Sequence, residues 1–185
     1  MNYSRPSCCD RKPLTQRLTR AVLPGLAAIL LTAALSGCAA NADTKCPLTS
    51  AQVEGIVNGS ASATYKSSTQ QTCTYSLSDT SEQQLTVQWI PYAGSGFRGE
   101  SSLRQFGYTD MPASQSAQLG APALVATFPS TSSSPDPATW IIFNHDGYSW
   151  SVGLVGSPND SIARTMSNRT FAVAQLIAGK SFPKP

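Results

Sequence analysis

Apolar and polar residues alternate most regularly around Asp146-Gly147, late in the chain. An Asp-Gly pair supplies the positive φ angles of a type I′ turn, so the pattern predicts a β-hairpin with strands over Trp140–His145 and Tyr148–Val155. With a two-residue turn, Phe143 lies opposite Trp150. The face that we expect in the core then carries Ile141, Phe143, Tyr148, Trp150, Val152 and Leu154.

Shorter patterns predict the other strands. Cys73–Leu77 and Leu85–Trp89 each place alternate apolar residues on one face, as expected for half-buried strands. Gln115–Leu119 and Ala123–Phe128 are interpreted as two more short strands. Ser60–Gln71 is rich in Ser and Thr, and we interpret it as a loop.

Two segments have helical signals. Thr49 and Gln52 have the spacing of a capping box, which starts a short helix that Asn58-Gly59 ends. A longer helix, with apolar residues at helical spacing, begins at Asn159 or Asp160. The order of elements predicts an α+β fold. We expect an antiparallel sheet of about five or six strands, with the short N-terminal helix and the long C-terminal helix packed on it.

The first part of the chain has the layout of an export signal. Five basic residues and one acidic residue occupy the first 20 positions, and Ala21–Leu35 follows without a charge. An apolar stretch of this length is typical of a signal peptide and is too short for a comfortable membrane span. Because basic residues stay on the cytoplasmic side, the rest of the chain is expected outside.

Leu35-Ser36-Gly37-Cys38 ends this stretch and resembles the lipobox of bacterial lipoproteins. The resemblance implies a lipid on the Cys38 thiol and a cut between Gly37 and Cys38. Two or three acyl chains make a stable anchor. The alternative is an ordinary signal cut nearby, with Cys38 unmodified. We expect a signal peptide over residues 1–37, a tether over 38–45 and one domain over 46–185, anchored in the cell envelope on the outer side of the cytoplasmic membrane.

Charge narrows the range of partners. The precursor has a net charge of +3, but the part from Cys38 onwards has eight Lys or Arg residues and nine Asp or Glu residues, which gives −1. This part has no basic run. The composition therefore argues against a nucleic-acid partner and against electrostatic binding to a membrane. The lipid is left as the expected attachment.

Three cysteines remain after the predicted cut. With Cys38 lipidated, Cys46 and Cys73 form an even number in an oxidising compartment, which indicates one disulfide. The loop that they close has 28 residues, worth about 3–4 kcal/mol in the chain-entropy model. A metal site needs more Cys, His or acidic ligands at close spacing, and the chain has one histidine. We expect neither a metal nor a cofactor.

The mature chain resembles the actinobacterial secreted lipoproteins with a DUF3558-like domain. The features that carry the resemblance are Cys46-Pro47-Leu48-Thr49, a helix closed by Asn58-Gly59, Cys73-Thr74-Tyr75 before a strand, and a long final helix. That family is lipid-anchored and has no established activity. The resemblance therefore supports an anchor and a Cys46–Cys73 disulfide, and it implies no catalytic residue.

The strongest catalytic candidate is Gly147-Tyr148-Ser149, which begins like the nucleophile elbow of a serine hydrolase. Ser151 stands where that motif has its last glycine, and Ser149 falls inside a predicted strand. The one histidine, His145, is expected on the opposite face of the hairpin, so Ser149 lacks a base. The acidic residues are dispersed, so only the fold can bring two together. We expect no catalytic residue.

Three functions remain, in the following order. The first is a non-catalytic binding module for an envelope protein or ligand. Its contact patch is Trp140 with Ile142, unless the first helix covers both. The second is a carrier or sensor of an apolar small molecule, held between the sheet and the last helix. Its pocket is expected to be lined by Phe143, Trp150, Met166 and Val173. The third is an envelope hydrolase that uses carboxylates.

Overall fold

The computed structural model describes residues 40–131, 136–156 and 163–185 of the chain. The predicted signal peptide, Cys38 and the predicted helix start at Asn159 or Asp160 lie outside these residues. The strands are β1 (Ser60–Ser67), β2 (Gln71–Ser78), β3 (Glu82–Pro91), β4 (Thr109–Asp110), β5 (Ala123–Phe128), β6 (Ala138–His145) and β7 (Tyr148–Gly156). The helices are α1 (Ala40–Asp43), α2 (Ser50–Val57), α3 (Glu100–Gln105), α4 (Ala113–Gln118) and α5 (Ala163–Ala178).

All seven strands form one antiparallel sheet in the order β1-β2-β3-β7-β6-β5-β4. Helices α2 and α5 contact the sheet and each other. This arrangement confirms the predicted α+β fold with a short N-terminal helix and a long C-terminal helix. The sheet has seven strands rather than five or six.

The prediction of a loop over Ser60–Gln71 is wrong, because β1 covers most of that segment. In β1, small residues hide the alternation, since serine and alanine differ little in hydrophobicity. The pairing partner decides the structure. Ala63 lies opposite Tyr75, and Tyr65 lies opposite Cys73, so β1 extends the sheet on the side where β2 would otherwise be an edge.

The prediction of a strand over Gln115–Leu119 is also wrong. Helix α4 occupies this region and follows Pro112, and only Leu119, after its end, is buried. Proline is tolerated at the start of a helix. A five-residue pattern with one large apolar residue fits a short strand and a single helical turn equally well, because that residue can face the core in either structure.

The hairpin prediction is confirmed. Phe143 pairs with Trp150 as expected for a two-residue turn, and β6 and β7 keep this register along their length. Asp146 and Gly147 have φ angles of 50° and 78°, the left-handed conformations that a type I′ turn requires. Strand β7 then pairs with β3 on its other side, which places Trp89 beside Trp150 in the core.

The short N-terminal helix, α2, is built as its sequence indicates. In α2, the Thr49 hydroxyl accepts a hydrogen bond from the Gln52 N–H (3.3 Å), and the Gln52 side chain accepts one from the Thr49 N–H (3.1 Å). The capping box is therefore complete. Asn58 ends the helix with a left-handed φ of 56°, a conformation that asparagine tolerates better than most residues.

The predicted disulfide between Cys46 and Cys73 is confirmed, with Cα atoms 5.7 Å apart. It joins the segment before α2 to the start of β2. Beside it, the Tyr75 hydroxyl donates a buried hydrogen bond to the Leu48 carbonyl (2.7 Å). These two links attach the incoming chain to the sheet on the face that α2 and α5 cover.

Different segments of the chain lie at the two ends of the sheet. The tether end comprises the β1–β2 turn (residues 68–70), Pro91, the Asp146-Gly147 turn, the segment before α2 and the C-terminal tail (residues 179–185). The far end comprises the β2–β3 turn (residues 79–81) and the opposite termini of the strands. The tail is held at the tether end because Phe182 packs on Trp150 (ring centroids 4.6 Å apart) and the Tyr148 hydroxyl donates to the Pro183 carbonyl (2.9 Å).

A buried ion pair joins the far end of the sheet to α5. Glu82 is 1% exposed, and its carboxylate accepts hydrogen bonds from Arg169 and from the Thr80 hydroxyl. Burial by itself would raise the pKa of Glu82, but these hydrogen bonds outweigh it and hold the pKa below its usual value. The folded state therefore favours the ionised carboxylate.

We predict that Arg169→Ala lowers the free energy of unfolding at neutral pH by about 3 kcal/mol, because it leaves a buried carboxylate without its cation. Since the folded-state pKa of Glu82 is lowered, the stabilisation is present above the unfolded-state pKa of about 4.3 and is lost as the pH falls through the folded-state value. Urea denaturation across this range measures both effects.

Glu82→Gln is the matched control for this prediction, because it removes the carboxylate and keeps the side-chain shape. Arg169→Ala is expected to cost much less in the Glu82→Gln background than in the wild type. An equal cost in both backgrounds would contradict the assignment of the stabilisation to this pair.

Candidate functional site

The face of the sheet opposite α2 and α5, here named the outer face, carries a groove of about 440 Å³. Its floor is formed by residues of the three central strands, and its wall is formed by the segment between β3 and α3. Gln88, Ile142, Ser149 and Ser151 contribute to the floor, and Arg98 and Leu103 contribute to the wall. This space is named the outer groove.

The alternation of β7 explains why the groove has depth. Trp150 points into the core, so Ser149 and Ser151 point to the outer face. Their side chains are small and leave space above the central strand. The larger residues Ile142, on β6, and Gln88, on β3, flank this space.

The wall of the outer groove is held by one cross-link. After Pro91, the chain leaves the sheet and crosses the outer face, where the Asn144 side-chain amide donates to the Gly96 carbonyl (2.8 Å). Gly99 then adopts a positive φ of 67°, and α3 begins. This turn presents Arg98 at the groove and keeps Leu103 against it. The side-chain oxygen of Asn144, Oδ1, is buried without a hydrogen-bond partner among the described residues.

Arg98 is the available cation of the wall. It is exposed and forms no ion pair within the described residues. The nearby Arg104 is different, because its guanidinium binds both Glu100 (2.9 Å) and Asp110 (2.8 Å). Arg98 can therefore bind an anionic or strongly polar group that enters the groove.

The predicted contact patch of Trp140 and Ile142 lies on the outer face and is not covered by α2, which packs on the other face. Ile142 is 8% exposed and forms part of the groove floor. Trp140 is half-buried, and its ring lies directly over Gly153 on β7. A Cβ atom at Gly153 would lie 2.4 Å from that ring, so glycine is what permits the indole to lie flat on the sheet.

The four residues of the predicted apolar pocket are all in the hydrophobic core. Phe143, Trp150, Met166 and Val173 are each 0–1% exposed and belong to one cluster of packed side chains. Of these, only Trp150 borders a described cavity, and that cavity is the outer groove. The carrier hypothesis therefore stays a prediction without a described cavity between the sheet and α5.

The serine and histidine of the hairpin are on different faces. His145 Nε2 lies 2.7 Å from the Lys180 carbonyl oxygen in the C-terminal tail, and its ring contacts Phe182 edge-on. Ser149 faces the outer groove. No described contact joins the two residues, so the histidine cannot take a proton from the serine in this arrangement.

The carboxylates whose pKa values are clearly shifted are bound to arginine side chains. Glu100 and Asp110 both bind Arg104, and its hydrogen bond lowers the pKa of Asp110. The pKa of Glu82 is also lowered. A general acid in a glycosidase-type mechanism requires a raised pKa. The described residues also contain no group of three or more His, Cys, Asp or Glu side chains arranged to hold a metal ion.

The tail and the loop that forms the groove wall were not identified as functional elements from sequence. The only local signals were the prolines around Phe182 and the glycines around Arg98, and neither indicates a partner in space. No helix in the described ranges has the length and apolar character needed to cross a membrane. No family model matches the chain, and neither does a curated protein or a solved structure.

We predict that Gly153→Ala lowers the free energy of unfolding by about 1–3 kcal/mol, because the new methyl group collides with the Trp140 ring. In a Trp140→Ala background the same change is expected to be neutral or slightly stabilising, since alanine is preferred to glycine within a strand. Chemical denaturation of the four variants measures the coupling.

Gly55→Ala is the matched control, because a Cβ atom at Gly55 meets nothing within 4 Å. This change within α2 is expected to stabilise the protein by about 1 kcal/mol. If Gly153→Ala costs the same with and without Trp140, the indole does not lie on Gly153 in solution.

Proposed function

We propose that this protein is a lipid-anchored component of the bacterial cell envelope, held on the outer side of the cytoplasmic membrane, whose domain binds a partner protein or ligand without catalysing a reaction. The observation that carries the binding proposal is the outer groove, which combines apolar side chains with several amide and hydroxyl groups and with Arg98, a cation that forms no ion pair among the described residues. This proposal includes the resemblance to the DUF3558-like lipoproteins, which share such an anchor.

The anchor is supported by sequence and by the disulfide. The lipobox-like Leu35-Ser36-Gly37-Cys38 follows a charged and then apolar segment, which is the arrangement of a lipoprotein signal. The Cys46–Cys73 disulfide supports export, because disulfides persist in oxidising compartments. An exported chain with a lipidated cysteine needs no membrane-spanning helix for attachment.

The chemistry of the groove supports binding over catalysis. The described residues that line it include neither a histidine nor a carboxylate, so it offers no general acid or base. Arg98 and Gln88 are groups that bind anions and polar ligands through hydrogen bonds. Ile142 and Leu103 provide the apolar contact that binding sites combine with such groups.

We predict that Cys38→Ala releases the protein from membranes or leaves uncut precursor, because the acylated thiol is removed. Partitioning of whole-cell protein into a detergent phase, with metabolic labelling by a fatty acid, measures this. Cys9→Ala is the matched control, since that cysteine lies in the predicted signal peptide, and it is expected to leave partitioning unchanged. Unchanged cleavage and unchanged fatty-acid labelling of Cys38→Ala would contradict the lipid anchor.

We predict that a photoreactive amino acid at Gln88, on the groove floor, forms a crosslink in intact cells. The same group at Ser62, which is exposed on the outer face of β1, is the matched control and is expected to form none. Arg98→Glu should reduce the Gln88 crosslink several-fold, because it reverses the charge of the groove wall, and should leave the melting temperature unchanged. Equal crosslinking at both positions, or no effect of Arg98→Glu, would contradict the groove as the contact surface.

A further inference from the structure

The two ends of the sheet have net charges of opposite sign. If the adjoining strand terminus at Lys66 and the adjoining groove wall at Arg98 are counted with the tether end, its basic residues are Lys45, Lys66, Arg98, Lys180 and Lys184. The acidic residues there are Asp43 and Asp146. Five basic against two acidic groups give this end a net charge of +3.

The far end has the opposite balance. Its acidic residues are Glu54, Asp79, Glu82 and Asp136, and its basic residues are Arg164 and Arg169, both in the first half of α5. Four acidic groups against two basic groups give a net charge of −2. The remaining described charges, on Glu100, Arg104 and Asp110, are bound to each other. Although the net charge of the domain is near zero, its basic and acidic groups are therefore concentrated at opposite ends of the strands.

Four of the five basic groups of the tether end are exposed, namely Lys45, Lys66, Arg98 and Lys184. The fifth, Lys180, is half-buried, and its ammonium group donates hydrogen bonds to the Pro47 carbonyl (2.6 Å) and the Gln52 side chain (3.1 Å).

Both acidic groups of this end accept hydrogen bonds within the protein. The Asp43 carboxylate accepts hydrogen bonds from the Ser50 N–H (3.0 Å) and hydroxyl (2.9 Å). The Asp146 carboxylate likewise accepts one from the Phe182 N–H (2.9 Å). The exposed charges of this end are therefore four basic groups against one acidic group, Asp146, because Asp43 is half-buried.

Two half-buried tyrosines lie among these lysines. Tyr92 lines a depression with Lys184 and Pro185 beside the hairpin turn. Tyr148 lines a second one near Lys45 and the disulfide. Tyrosine and lysine together are typical of surfaces at a membrane–water interface, since the ring tolerates the headgroup region and the ammonium group binds phosphate.

The chain also enters the domain at this end. Cys38 precedes the first residue of α1 by two positions, and two residues span at most about 7 Å. Helix α1 is itself attached, because Ala42 packs against the core and Asp43 binds Ser50. A lipid on Cys38 therefore places the bilayer close to the tether end.

We propose that the tether end is a membrane-facing surface that binds anionic phospholipid headgroups and holds the domain with its strands directed away from the bilayer. This inference rests on the proposed lipid anchor. It differs from the expectation drawn from the net charge, which argued against electrostatic binding to a membrane. It also places the outer groove in the membrane-proximal half of the domain, because Arg98 and Gln70 belong both to the groove and to the tether end.

The test uses the lipidated protein in vesicles of phosphatidylcholine alone, or of phosphatidylcholine and phosphatidylglycerol in equal amounts. A donor fluorophore is attached at Ser68→Cys, in the tether-end turn, or at Ser78→Cys, at the far end of β2. The two sites are separated by the length of β2, about 25 Å. Energy transfer to an acceptor on the lipid headgroups measures the height of each site above the bilayer.

In vesicles with phosphatidylglycerol, we expect much stronger transfer from Ser68→Cys than from Ser78→Cys. The difference should shrink at high salt, which screens charges, in phosphatidylcholine alone, and in the triple variant Lys45→Glu/Lys66→Glu/Lys184→Glu. The matched triple Lys→Arg variant should keep the full difference. Circular dichroism and the melting temperature show that both triple variants are folded. Arg98 is left unchanged so that the groove stays intact.

Pelleting of the protein with the vesicles separates the two proposals. Protein that pellets but shows the same transfer from both sites, or transfer that is independent of phosphatidylglycerol and salt, overturns the orientation and leaves the anchor. Protein that does not pellet with any vesicle overturns the anchor, and the orientation with it. Pelleting together with a lipid-dependent and salt-dependent difference supports both.

Discussion

The pairing of β7 with β3 on one side and with β6 on the other is the constraint on which both faces of the domain depend. It joins the β1–β3 half of the sheet to the β4–β6 half. Because side chains alternate along a strand, the same segment places Trp150 in the core and Ser149, Ser151 and Gly153 on the outer face. The core side holds α5 and the C-terminal tail through Phe182. The outer side forms the groove floor and the surface on which the Trp140 ring packs.

The effect of the charged groups in this protein depends on where they lie rather than on the net charge. A net charge near zero is compatible with a basic tether end and an acidic far end, because attraction to a charged surface falls off within about 10 Å at moderate salt and responds to the nearest groups. A lipid anchor would make this local attraction effective, since it holds the tether end near the bilayer and leaves only the orientation to be decided. A groove beside the membrane would then meet ligands or partners that are themselves confined to that surface.

The sequence predicted most of the fold where local signals were strong. The Asp146-Gly147 hairpin, the capping box at Thr49 and the Cys46–Cys73 disulfide are confirmed because each depends on residues whose chemistry is specific at short range. Strand β1 and helix α4 were misread because their side chains are small or polar, and there pairing and packing decide. The Trp140–Ile142 pair was placed on the outer face, but the path by which the segment beyond Pro91 crosses that face could not be predicted.

By itself, the sequence determined most of the elements and the alternation that separates core from outer face, since these follow from dihedral preferences and from periods of two and 3.6 residues. The even number of cysteines left after the predicted cut indicated the disulfide. Only the tertiary structure decided which distant residues share a surface. Arg98 lines the outer groove together with Ser149 and Ser151, and Lys45 lies with Lys66 and Lys184 at the tether end. These groups are far apart along the chain, and no local preference encodes their proximity. Strand order and the return of the tail bring them together.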